Sequence, residues 1–184
     1  MKRRFQLILA LGVAVVAAMA VYASRSSHAP LSLPPGNVTA HQISPYWHFD
    51  PVPDDRMFYQ WPILDSATAN PSLDASIRAT FRNPAVFDPD ASSKSCFDPR
   101  LALRFGSGPQ MLDLAICLHC DNMQIYKSGK AVDFRNLSRE GHREIEKLTY
   151  QIFPDADVKD AAANARAEEI DGQRSKPASA PTTR

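Results

Sequence analysis

Apolar residues recur along this chain in distinct rhythms, and each rhythm predicts its own element. Met57 opens the patterned part. The run Phe58-Tyr59-Gln60-Trp61-Pro62-Ile63-Leu64 is aromatic and branched enough for a strand, and Pro62 confines it to a strand start or a sheet edge. Leu73, Ile77 and Phe81 then fall at intervals of four and predict one apolar face of a helix. Asn70 supplies its N-cap, Pro71 its first position, and Asn83-Pro84 its end. Leu101, Leu103 and Phe105 alternate with Ala102 and Arg104, while Leu112, Leu114, Ile116 and Leu118 share one face of a following strand. Gly106-Ser107-Gly108-Pro109 lies between the two and folds them into an antiparallel hairpin. Past this point the apolar parity flips to Met123 and Ile125, which requires a turn or bulge at His119-Cys120-Asp121-Asn122. Ser128-Gly129 turns the chain again, and a short edge strand follows over residues 131–135. Ser138 caps a second helix whose Gly141, Ile145, Leu148 and Ile152 lie in a narrow arc, and Pro154 ends it.

These elements predict an α+β domain over residues 57–154, a small antiparallel sheet of three or four strands with two helices on one face. Outside it the pattern fails. Residues 24–56 carry Pro30, Pro34, Pro35, Pro45, Pro51 and Pro53 and read as a tether. Its aromatic patch Tyr46-Trp47-His48-Phe49 reads as packing of a wandering segment. Residues 155–184 thin out in apolar positions and read as a mostly disordered tail. On this reading the domain folds without residues 1–56.

Charge changes the picture only at the N-terminus. Lys2, Arg3 and Arg4 precede an uncharged apolar run that starts at Phe5 and ends at Ala23. A basic start before such a run is an export signal, and its length is close to the ~20 residues that span a bilayer. Residues 1–23 are therefore a cleaved signal peptide or a transmembrane anchor helix, and the domain lies outside the cytoplasm, periplasmic or anchored in the inner membrane. A net charge of +1 without a basic stripe excludes a nucleic-acid partner. What remains is a protein or small ligand of the cell envelope, with membrane contact through Phe5 to Ala23 if the run is retained. No Ser/His/Asp set, phosphate loop or paired-acid motif argues for an enzyme, and Asp98, Asp113 and Asp121 read as solvated or capping acids.

The candidate chemistry is sulfur. All three cysteines, Cys96, Cys117 and Cys120, fall in or beside the hairpin. Pairing Phe105 with Met111 and stepping outwards brings Cys96 opposite Cys120, so a Cys96–Cys120 disulfide is expected, with Cys117 buried and reduced; export to an oxidising compartment favours it. Two other readings use the same residues. Cys117-Leu118-His119-Cys120 with Cys96 and His142 could hold zinc as a knuckle, although a closed site usually needs four ligands and only one C-x-x-C is present. A thiol–disulfide oxidoreductase wants its first cysteine at a helix N-terminus, whereas the alternation after Cys120 predicts a strand.

Cys96-Phe97-x-Pro99, the strand ending Ile116-Cys117-x-x-Cys120, and Trp61-Pro62-Ile63-Leu64 before a helix together resemble a group of exported bacterial proteins without an assigned activity. The resemblance spans roughly residues 58–126 and implies a common fold and shared cysteines. Members often carry His shortly after C-F-x-P, where this chain has Arg100-Leu101.

Overall fold

The computed structural model describes residues 30–45, 53–91, 96–157 and 159–162. The N-terminal run read as a signal peptide or anchor, the aromatic patch at 46–49 and the segment beyond 162 lie outside these residues. No helix among the described residues is long and apolar enough to cross a membrane.

The sheet is larger than the three or four strands expected. It has seven: β1 (Val38–Ile43), β2 (Met57–Phe58), β3 (Trp61–Thr68), β4 (Leu101–Phe105), β5 (Leu112–Cys117), β6 (Asn122–Lys127) and β7 (Lys130–Asn136). Their order is β2-β3-β1-β4-β5-β6-β7, and every neighbouring pair is antiparallel. The correction comes chiefly from β1, which lies within the segment read as a tether yet pairs with both β3 and β4. Its sequence Val-Thr-Ala-His-Gln-Ile is free of proline; Pro34, Pro35 and Pro45 fall just outside it, where a missing N–H costs the ladder nothing.

Two helices pack on one face, α1 (Pro71–Arg82) and α2 (Arg139–Ile152). Asn70 accepts from the Leu73 amide and Ser138 from the Gly141 amide, so each helix begins at a side-chain N-cap. Ile77 and Phe81 of α1 and Ile145 and Leu148 of α2 meet Val38, Ala40, Leu101, Leu103, Phe105, Leu114, Ile116, Met123 and Ile125 of the sheet. The opposite face holds a smaller cluster around Ile43, Phe58, Trp61, Ala102, Ala115 and Tyr126.

The hairpin register also differs from the expected one. Phe105 pairs with Leu112, not Met111, and Leu103 with Leu114. The expected register would set Leu103 opposite Asp113 and mix the apolar face with the polar one. A one-residue slip moves a whole strand to the wrong face, so burial of the Leu/Ile row enforces the observed pairing.

Gly141 marks a close approach to a 3-10 turn at Pro84–Val86. A Cβ there would stand 2.1 Å from the Val86 carbonyl oxygen. That oxygen also accepts the Ser138 N–H at 2.9 Å, so it cannot withdraw without losing the bond. Gly141→Ala is expected to destabilise by about 1–3 kcal/mol, read as a lower urea midpoint.

The fold continues past residue 154. Ala156 is buried, and Gln42 Nε2 donates to its carbonyl at 2.8 Å. Arg100 pairs with Asp160 at 3.0 Å, and Lys159 pairs with Asp65. Residues 155–157 and 159–160 thus dock against the sheet near the end of β1 instead of starting a free tail.

Candidate functional site

The parity flip at His119 to Asn122 is a four-residue hairpin loop. Cys117 pairs with Asn122 across it, and Asp121 adopts φ 52°, a left-handed conformation that Asp tolerates. This loop gathers the sulfurs. Cys96 lies before β4 on an extended segment whose Arg100 N–H donates to Ile116 O at 3.0 Å, prolonging the ladder towards the turn. Cys96 and Cys120 are joined as a disulfide with a Cα–Cα separation of 6.1 Å. Both lie beyond the paired residues of β4 and β5, so the bridge forms although the register that suggested it is off by one. Cys117 is the free cysteine and is buried. Its Sγ accepts the Cys120 N–H at 3.1 Å, and burial pushes the thiol pKa up.

The histidines do not join the sulfurs. His119 is exposed on the loop. His142, on the first turn of α2, donates from Nδ1 to Asp121 Oδ1 at 2.6 Å. Among the described residues no group of three His, Cys, Asp or Glu side chains is placed to hold a metal ion. The zinc knuckle of Cys96, Cys117, Cys120, His119 and His142 is therefore not assembled: one sulfur pair is bridged, and one histidine is held by an acid.

Between the loop and α2 lies a cleft of about 560 Å³, lined among others by Cys120, Asp121, Arg139, His142, Arg143 and Glu146. Its walls mix guanidinium, imidazole and carboxylate groups, which suits a polar ligand carrying both donors and acceptors. Among the described residues that line it, none is a thiol, hydroxyl or amine nucleophile held against a base. The Asp121–His142 pair orients an imidazole, but the thiol of Cys117 is sequestered below the loop.

The structure shows a second polar cluster on the face away from the helices. Asp113, read above as a solvated or capping acid, is completely buried there. Arg104 grips it through Nε–Oδ1 at 3.0 Å and Nη2–Oδ2 at 2.9 Å, and Tyr59 donates to Oδ2 at 2.8 Å. Tyr59 stacks on Tyr126 with ring centroids 4.1 Å apart. Burial and the bond to the Asp113 carboxylate push the Tyr59 pKa well up. The sequence signal for this cluster is the direct cross-strand pairing of Arg104 with Asp113, visible only in the correct register.

His41 of β1 belongs to the same face, with Nδ1 2.8 Å from Ser66 Oγ and the ring 5.5 Å from that of Phe58. Burial first, and the Arg104 charge second, lower its pKa below the ordinary 6.5. The unfolded chain then binds a proton more readily than the folded one. Stability from neutral His41 is full above about pH 7.5 and is lost as pH falls through 6.5 towards the folded value. Urea titrations between pH 8 and pH 5 should therefore show a decline that His41→Gln flattens.

The chain matches no protein-family model, no curated protein and no solved structure.

Proposed function

We propose that the chain is an exported, envelope-located binding domain whose disulfide fixes one wall of a polar ligand cleft. The Cys96–Cys120 bridge carries this reading. Structural disulfides persist in oxidising compartments and are rare in the cytosol. The basic-then-apolar start of the chain and its resemblance to exported bacterial proteins support the same location. The bridge closes a loop at sequence separation 24, which constrains the unfolded chain by about 3 kcal/mol. Binding, not turnover, fits a cleft without an activated nucleophile. Cys120 and Asp121 enter that cleft from the bridged loop, so the staple holds ligand-facing groups in place.

The test is to express the full chain in a bacterial host, block thiols at harvest, and map disulfides without reduction. Protease added to intact spheroplasts reports the side of the membrane. A Cys96–Cys120 crosslink in protease-accessible protein is the expected result. A protected domain with three free thiols would overturn the proposal. In the same preparation Cys96→Ser is expected to cost about 2–5 kcal/mol. Cys117→Ser should cost less and leave the crosslink in place.

A further inference from the structure

We propose that Cys117 is the attacking thiol of an internal thiol–disulfide exchange that moves the free sulfur from the interior to Cys96. The sulfur of Cys117 is held between the two segments that carry the bridge. It accepts the backbone N–H of Cys120, one end of the bridge, at 3.1 Å. The backbone of Asp98, two residues beyond Cys96 at the other end, also lies close enough to favour its thiolate. Cys117 ends β5 and Cys120 lies within the hairpin loop, at C-x-x-C spacing, close enough in sequence to join across a turn. Cys117 and Cys120 are both buried, whereas Cys96 is partly exposed.

The step balances without an oxidant. Cys117 attacks Cys120 Sγ and loses its proton, which ends on the departing Cys96 sulfur. The Cys117–Cys120 bond forms as the Cys96–Cys120 bond breaks. Cys96 leaves as a thiolate and takes up a proton, so one disulfide and one thiol are present before and after.

The surroundings set how readily the isomers convert. Burial raises the Cys117 thiol pKa, which keeps the thiolate scarce and the exchange slow. The backbone N–H groups of Cys120 and Asp98 and the Arg100 charge favour the thiolate, against the nearby Asp98 charge and the loss of water. His119 and Asp121 are the other titratable groups of the loop. Exchange places the thiol on a partly exposed segment, where it becomes a site for mixed-disulfide formation or alkylation. A buried thiol with no route outwards would offer none.

The experiment uses the oxidised full chain under native conditions with excess iodoacetamide, sampled over hours and digested with trypsin without reduction. Cleavage after Lys94, Arg100, Arg104 and Lys127 puts Cys96 on peptide 95–100 and both other cysteines on peptide 105–127. The resting bridge therefore links two peptides. The exchanged form gives peptide 95–100 alkylated at Cys96, and peptide 105–127 closed on itself. These two products should grow together, and Cys117→Ala should abolish both while keeping the linked pair. Alkylation of Cys117 with the linked pair intact would overturn the proposal, because the thiol then meets reagent without exchange. So would a linked pair that stays unmodified throughout, or Cys96 alkylation that persists in Cys117→Ala.

Discussion

A chain that begins at residue 57 is expected to lose its cooperative unfolding transition, while a chain of residues 30–162 keeps it. The reason is the position of β1. It is hydrogen-bonded on both edges, to β3 and to β4, so removing it cuts β2 and β3 away from the rest of the sheet. Val38 and Ile43 are fully buried, and Leu31 and Leu33 just before them are buried as well. Burying such side chains is worth about 1.5–3 kcal/mol each, so the four together rival the ~5–15 kcal/mol that holds a typical domain. Gln42 would also leave the Ala156 carbonyl without its donor. Thermal melts followed by near-ultraviolet circular dichroism distinguish the two chains: a sharp transition in both would show that the β4–β7 meander and the helices fold without β1.

How much of this was legible follows from where local chemistry and tertiary context agree. Both helices announce themselves, because Asn70-Pro71 and Ser138 are caps that work through bonds to residues three positions on. The loop at residues 118–121 was legible too, since a period-two pattern can change parity only where the chain turns. β1 was hidden by averaging. Proline density over residues 24–56 masked a six-residue stretch whose alternation places Val38 and Ala40 on one face and Thr39 and His41 on the other. The hairpin register was obscured by its turn. Gly106 and Gly108 both take positive φ, and the 3-10 turn Gly108–Gln110 lengthens the connection by one residue beyond the expected one. Arg104 and Asp113 held the corrective signal, since opposite charges directly across a strand pair favour one register over its neighbours. At the site, the sulfur pairing was legible from proximity along the hairpin. The cleft was not, because Asp121 and His142 meet only once α2 folds back over the loop.

Loss of Arg104 is expected to be the most damaging single substitution on the polar face, and more damaging than loss of its partner. The two charges are unequally placed: the Asp113 side chain is 0% exposed and that of Arg104 38%. Arg104→Met strands a fully buried carboxylate whose remaining side-chain donor among the described residues is the Tyr59 hydroxyl. Breaking a buried pair in this sense costs about 3–5 kcal/mol. Asp113→Leu leaves a guanidinium that can turn to solvent, and Tyr59 loses one acceptor, so its cost should be smaller. The double variant should then be more stable than the sum of the two losses predicts, because it removes the stranded charge along with the pair. Arg104→Lys should fall between wild type and Arg104→Met. A lysine keeps the charge but cannot bridge both carboxylate oxygens as Nε and Nη2 do, and it forfeits the stacking of the guanidinium 5.3 Å over Phe58. Urea unfolding of the four proteins at one pH completes the cycle. Equal costs for Arg104→Met and Asp113→Leu, with simple additivity, would show that the pair is solvated and that burial of Asp113 does not govern this face.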